Sequence, residues 1–423
     1  VDDMQFCKIQ QSHVKIAFFT FLGHILELYD YTIFVVLLPI VSPLFFPAND
    51  LSSAINIGML VFAASILISI PGALFWGKLG DRFGRLVMLR KAIMMMGLPS
   101  LVIALLPTYA DIGIAAPIIL FLCRIVQTFS ASGEMNGGRI FLTEHFGLNY
   151  VGRVTGYFSC MGALGVLLAM FLGWVIDTYE MSWRIPFILG SSLAVLSMIL
   201  RKKLSESPEF VAFATSYHLE DAKSISIFVI LRHNINKVMV IFAITAVLGT
   251  LSYMMHGFIN PFLMSFDVDM SLVYHMGIVG LLSCGVVAIL CGYIIDRHHN
   301  EHFIIRANFI AVMFLIPLGY WLIKLYLSSL NTSLLYMAYI LFGGLLGMNV
   351  SAAGAINFKL FAPQERCRGI LISYALSMAI FGGLTPICLK ILSEINFFAP
   401  GFALSAVALF GYCIYFVCMR RQY

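Results

Sequence analysis

Residues 77–85 read Gly77-Lys78-Leu79-Gly80-Asp81-Arg82-Phe83-Gly84-Arg85 between two long apolar runs, and a partial copy, Gly292-Tyr293-Ile294-Ile295-Asp296-Arg297, follows 215 residues later. Arg153 and Arg368 stand the same 215 residues apart, each just ahead of another apolar run. Glycines in such a loop permit a tight turn and close approach of two helices, while the aspartate can cap a helix or pair with a basic residue of a neighbour. Two loops sharing one offset imply a duplicated six-helix unit, and duplicated halves with a site between them are a recurring transporter plan.

Outward from these loops the chain is apolar almost throughout. Of 423 residues, 61% are hydrophobic and 11% charged, with a mean hydropathy of +0.94, against about 45–50% and about 25% in soluble domains. Apolar runs lie at about 16–46, 55–77, 86–107, 113–142, 151–177, 184–200, 237–265, 272–295, 303–326, 333–358, 367–392 and 397–419. Their length suits membrane helices, and the roughly 10-residue alternating segments of an outer-membrane barrel are absent. The expected fold is all-α and integral to the membrane: twelve transmembrane helices in two pseudo-symmetric bundles of six. Residues 1–200 form the first bundle, 201–236 a cytoplasmic linker and 237–423 the second bundle.

With the N-terminus in the cytoplasm, all of the 26 Lys and Arg residues except Arg124, Arg184, Lys324 and Lys390 fall at cytoplasmic loops, helix ends or tails. Both termini are therefore expected inside. Asp50, Asp111, Asp267 and Asp269 then occupy short external loops, and Trp76, Trp174, Trp183 and Trp321 fall at helix ends as interfacial anchors. This bias accounts for the net charge of +5, so nucleic acid is not an expected partner. The nine cysteines contain no C-x-x-C pair and imply neither metal nor disulfides. They read as small core residues. A first apolar stretch beginning near Lys15 is too long for a cleavable leader.

The loop Gly77 to Arg85 resembles the cytoplasmic signature of the major facilitator superfamily, G-x-x-x-D-R-x-G-R-[RK], departing at Leu86, where that family carries a second basic residue. The resemblance implies a latch that stabilises one gate state, built from Gly77, Asp81, Arg82, Gly84 and Arg85 together with Arg153. GHILELYDY (Gly23 to Tyr31), RIVQTFSASGE (Arg124 to Glu134), WRIPF (Trp183 to Phe187) and LSESPEF (Leu204 to Phe210) fall in the order seen in the metabolite:proton symporter family. That family includes bacterial carriers of proline and betaine, α-ketoglutarate, shikimate and citrate. Thr128 replaces the usual glycine of the fourth-span motif, and the second signature copy decays after Asp296 into Arg297-His298-His299-Asn300. The sequence given stops at Tyr423 without the coiled-coil tail of some osmosensing members, so osmosensing by that route is not expected.

Ionisable residues within the bilayer cost about 2.5–3.5 kcal/mol each on insertion scales and default to functional candidates. In the first span His24, Glu27 and Asp30 recur every three residues, a slowly drifting stripe with Tyr31 one turn beyond Glu27. Arg124 lies near the middle of the fourth span. Asp30 or Glu27 is expected to pair with Arg124 and the other to carry the coupling proton. A purely structural ion-pair network is the competing reading, although desolvation makes buried pairs poor sources of stability. Glu134, nearer the cytoplasm, could pair with Arg139 or Arg153 in a gate or structural role. The 215-residue offset places Phe242, Thr245 and Tyr339 opposite Glu27, Asp30 and Arg124, so charge is confined to the first half. In the second half Tyr253, His256, Asn260, Asn349 and Asn357 offer a neutral wall for substrate contact; His256 alone reads more simply as a core histidine.

Two acids and one arginine suit a proton plus a zwitterion or monoanion, since a di- or tricarboxylate needs more than one buried cation. The expected activity is proton-coupled import of a small polar metabolite, such as an amino acid, betaine or monocarboxylate, by alternating access. Tyr31 and Arg124 with Tyr253, His256, Asn260 and Asn349 are the expected substrate contacts. An exporter of a drug- or siderophore-like compound, a di- or tricarboxylate symporter and a non-transporting receptor are the rivals. No nucleophile-base or metal-ligand spacing supports an enzyme. No cofactor is expected beyond the proton, and the expected setting is a bacterial cytoplasmic membrane, with the bilayer as partner and the chain monomeric.

Overall fold

The computed structural model describes residues 2–48, 50–216 and 231–420, and every regular element among them is helical. Among the described residues twelve helices are long and apolar enough to cross a membrane: His13–Val36, Ser53–Phe83, Arg85–Leu105, Ala115–Phe146, Leu148–Thr178, Arg184–Arg201, Ile235–Met264, Ser271–His298, Glu301–Ser329, Thr332–Leu360, Arg366–Ile395 and Ala399–Arg420. In this order they are called spans 1 to 12. Of the expected linker, residues 217–230 lie outside the described residues, and Pro208–Ser216 forms a short helix.

The first span ends at Val36, earlier than the apolar run suggests, because a separate helix, Leu38–Phe45, restarts with Pro39 in its first turn. A proline disfavours helical backbone at the residue before it and is tolerated only where its missing N–H is not needed. Span 2 ends at Gly84, whose φ of 105° is a conformation side chains rarely adopt. Spans 7 and 11 each contain a wide, π-type turn, at Met254–Phe258 and Met378–Gly382.

Several of the residues expected in external loops have local work. Asp50 and Asp269 cap their helices by accepting the N–H groups of Ser53 and Leu272, and Asp111 accepts both the backbone N–H and the hydroxyl of Thr108. Arg184 donates to the last carbonyls of span 3, Ala104 and Leu106, as a cation at a helix C-terminus should. Trp174 and Trp321 are exposed, as anchors are. Trp76 is not: it is wholly buried, its indole N–H donating to Phe129 O at 2.8 Å. Gly133 makes room for that ring, since a Cβ there would lie 2.9 Å from Trp76 Cβ. The cysteines are likewise mixed, with Cys123, Cys284, Cys367 and Cys418 buried but Cys388 and Cys413 exposed.

Contacts gather the described residues into two units. One takes the described residues within 1–146, 161–224 and 366–371; the other takes those within 147–160, 225–365 and 372–423. Each therefore includes the opening turns of one span, 11 or 5, whose remainder belongs to the other unit.

Candidate functional site

In the first unit the expected acid-arginine set resolves into two separate networks. Asp30 accepts from Ser100 Oγ at 2.5 Å and from Gln127 Nε2 at 2.8 Å, and Gln127 Oε1 accepts from Arg124 Nη1 at 2.9 Å. Asp30 and Arg124 are thus joined through Gln127, and among the described residues no direct ion pair links them. Arg124 is wholly buried, and its Nε and Nη2 have no hydrogen-bond partner. Its guanidinium lies 4.5 Å from the centroid of Phe34, 5.5 Å from that of Phe62 and 5.8 Å from that of Tyr31. Ring faces attract a cation but supply no acceptor for those N–H groups. Thr128, where the symporter pattern has glycine, is buried and donates to Ser65 Oγ at 3.1 Å.

Glu27 does not reach Arg124. Its Oε2 lies 3.0 Å from His24 Nδ1, and its Oε1 is buried without a hydrogen-bond partner. Beside it Glu134 is clasped by the fork of Arg201, with Nη1 donating to Oε2 at 2.9 Å and Nη2 to Oε1. Gly23 allows this contact, because a Cβ there would run into Arg201 and come within 2.9 Å of Glu134 Oε1. Arg201 replaces the partners expected for Glu134; Arg153 instead binds Asp296.

The second unit holds the neutral candidates, and they do not form one group. Asn260 Oδ1 accepts from Tyr339 OH at 2.8 Å, and Tyr339 is the residue that the repeat sets opposite Arg124. Asn349 is wholly buried and donates to Asn308, which donates to Leu345 O. That chain of bonds ties span 10 to span 9, so Asn349 is a packing residue here and not part of an exposed wall. His256 sits in the wide turn of span 7 with Nδ1 2.7 Å from Ser252 O. A carbonyl can only accept, so Nδ1 carries the proton and Nε2 is left as the acceptor. Tyr253 packs on Gly382, where a Cβ would lie 2.9 Å from its ring.

The signature loops form two matching contacts. Asp81 accepts from Cys367 N, Arg368 N and Arg368 Nε at 3.0, 3.0 and 3.1 Å. Asp296 accepts from Gly152 N, Arg153 N and Arg153 Nε at 2.6, 3.0 and 2.8 Å. Each carboxylate caps the start of a span and pairs with an arginine in its first turn, so the decay after Asp296 leaves the second contact intact. Gly77 admits span 11, because a Cβ there would lie 2.9 Å from Arg368 Cα. Arg85 is wholly buried and binds Glu144, which also takes Arg366 and the hydroxyl of Ser207; Arg366 in turn binds Glu209. Glu206 caps span 3 by accepting from Arg85 N and Leu86 N. Leu86 is itself buried, which fits its departure from the basic residue of the pattern. Arg82 lies over Phe83 and joins none of these pairs.

Ser100, Gln127, Glu144, Arg201, Glu206 and Arg366 were not among the sequence candidates. Gln127 and Glu206 fall inside the quoted fourth-span and LSESPEF segments, and the former sits one turn from Arg124. Ser100 left no signal, since a serine in an apolar run is ordinary. Arg201 looked like a helix-end charge.

The sequence pattern described as Major Facilitator Superfamily matches residues 20–366. A proline/betaine transporter of Salmonella typhimurium is 26% identical over 92% of this chain and 80% of its own length, and a citrate-proton symporter of Salmonella typhi is 27% identical over 95% and 93%. Among solved structures the proton:xylose symporter XylE superposes with a TM-score of 0.76 at 16% identity, covering 97% of this chain and 96% of that one. The human organic anion transporter MFSD10 gives 0.72 at 14%, covering 95% and 99%.

Proposed function

The chain belongs to the Major Facilitator Superfamily, a family of multi-pass membrane transporters and not of enzymes, and from that premise we propose that it is a proton-coupled symporter of a small zwitterion or monocarboxylate. The observation that carries this reading is Arg124, a wholly buried guanidinium whose Nε and Nη2 have no hydrogen-bond partner, with three aromatic rings around it. Buried donors without partners cost about 1–3 kcal/mol each. A carboxylate from substrate satisfies them, because the planar fork of arginine matches it in bidentate fashion. Asp30, linked to Arg124 through Gln127, supplies the coupling. With Asp30 ionised the pair is neutral; a proton on Asp30 leaves the set at +1, which one substrate carboxylate neutralises. Proton and carboxylate therefore enter more easily together than apart.

The similarity to the proline/betaine transporter is consistent with a zwitterion, and the proton in the name of the citrate carrier with the coupling ion. Citrate itself is the second reading, favoured by that relative alone, and it asks for more cations than Arg124 provides. The loop contacts of Asp81 and Asp296 serve as gate latches. Residues 1–200 and 237–423 act as the two moving bundles in a bacterial cytoplasmic membrane, with both termini inside, import as the direction and a monomer as the working unit.

Purified protein in proteoliposomes, offered labelled proline, glycine betaine and citrate with and without an inward proton gradient, tests the proposal. Gradient-driven accumulation of proline or betaine is expected. Asp30→Asn should abolish accumulation while sparing counterflow. Citrate uptake without proline or betaine uptake would replace the substrate class, and accumulation by Asp30→Asn that still follows the gradient would remove Asp30 from the coupling.

A further inference from the structure

The stripe on span 1 splits between two environments, and only one of them is used above. Asp30 has a donor on each oxygen, Ser100 on Oδ1 and Gln127 on Oδ2. Glu27 has His24 on Oε2 and nothing on Oε1. Both Glu27 and His24 are buried, at 0% and 4% exposure. The charged groups that face them come from spans 4 and 6: Glu134, Arg139 and Arg201. Span 5 approaches through Gly162, where a Cβ would lie 2.7 Å from His24 Nε2. Arg201 is committed, since its fork holds both oxygens of Glu134 and its Nη1 also donates to Leu89 O. Among the described residues the ion-pair partner of Glu27 is His24, with neither Arg139 nor Arg201 bonded to it, and Oε1 is a place where a proton meets no competing donor.

We infer that Glu27, positioned by His24, is a second proton site, distinct from Asp30 and one helical turn nearer the N-terminal end of span 1. His24 presents Nδ1 to Oε2 and so turns the open oxygen, Oε1, away from the imidazole. A proton on Oε1 removes the uncompensated charge, and its loss restores a carboxylate that His24 can hold by a charge-assisted bond. The pair is thus built to gain and lose a proton without breaking the Glu134–Arg201 clasp. Its part in transport, as a station for the coupling proton below Asp30, rests on the symport reading.

Infrared difference spectra of the purified protein in lipid, taken across a pH series, test the site without any substrate. Protonated carboxyl groups are read by their C=O stretch. Among the titrating components, one should be lost in Asp30→Asn and another in Glu27→Gln. His24→Asn keeps a polar group beside Oε2 but cannot titrate; it should move the midpoint of the Glu27 component by about one pH unit, a tenfold change in proton affinity, and leave the Asp30 component in place. His24→Gln is the alternative where His24→Asn does not accumulate. A spectrum unchanged by Glu27→Gln, or a Glu27 midpoint unmoved by both His24 variants, overturns the inference. In proteoliposomes with labelled proline, His24→Asn should cut gradient-driven uptake about tenfold and leave counterflow within about twofold. A wild-type protein with no response to the proton gradient would defeat the symport reading and the transport role together, while separate Glu27 and Asp30 components would still stand as the local finding.

Discussion

Arg124 shows how one side chain can state a binding preference. Its charge is compensated at a distance through Gln127, aromatic rings surround it, and its Nε and Nη2 have no hydrogen-bond partner. Arg124→Lys keeps the charge and discards the planar fork, so a substrate carboxylate loses one charge-assisted hydrogen bond worth about 1.5–3 kcal/mol. Equilibrium binding to the detergent-purified protein should weaken by about 10–100-fold, and Arg124→Ala should bind less still. An unchanged Kd in Arg124→Lys would mean that the fork contacts no substrate. The sequence singled out Arg124 and Asp30 because charges within an apolar run are rare, which is a property of composition. It could not say which of Glu27 and Asp30 shares a network with Arg124. Both acids lie within one turn of each other on a single helix, and the choice is made by Ser100 and Gln127, uncharged residues on other helices that carry no comparable signal.

At the scale of the element, span 3 begins at a turn where three unrelated demands meet. Gly84 takes a positive φ, Arg85 is buried against Glu144, and the first free N–H groups of the helix are capped by Glu206 from beyond span 6. Burial pushes the Glu206 carboxyl above the usual carboxylate range; the N–H groups of Ser207 and Leu86 and the charge of Arg85 pull it partly back, and Glu144 opposes them. An acid whose pKa is raised on folding binds more proton in the native state. Its contribution to stability is therefore present at acid pH and is lost as pH rises through the folded value. Glu206→Gln keeps an acceptor oxygen but does not titrate. Thermal unfolding of wild type and variant, followed from neutral pH down to pH ~4, should show wild type gaining on the variant as pH falls, because only wild type takes up the proton. A gap between them that does not change with pH would remove Glu206 as the titrating cap. The apolar runs made the spans themselves readable, and the glycines of the loop made the turn readable. The cap was not, since a helix N-terminus does not reveal which distant segment will reach it, and Trp76 was misplaced for a related reason: Gly133, far away in sequence, opens the space that buries it.

Across the whole molecule the repeat is what the sequence stated most plainly, and the structure gives its physical content. The offset that links Gly77 with Gly292 also links Asp81 with Asp296 and Arg153 with Arg368. Asp81 holds the start of span 11 within the first unit, and Asp296 holds the start of span 5 within the second. In each case a carboxylate accepts from two backbone N–H groups and the arginine of that turn, and Asp81 also has Arg85 at 3.8 Å, so Asp→Asn removes the charge that makes these bonds strong and replaces one acceptor oxygen with a donor. Asp81→Asn and Asp296→Asn should each lower the turnover of transport while leaving substrate Kd within a few-fold, because neither aspartate belongs to the Arg124 network. The two need not be equal. Arg368 is nearly covered, with 9% of its side chain exposed, whereas Arg153 is 34% exposed, and a solvated partner contributes less to an ion pair. Asp81→Asn should therefore be the more damaging, and added salt should weaken wild-type latching at Asp296 more than at Asp81. Initial uptake rates and equilibrium binding, measured in the same preparations for both variants, decide the matter. A large loss of affinity with normal exchange would move these aspartates from the latch to the binding site, and equal losses of turnover would show that exposure of the arginine does not set the strength of either contact.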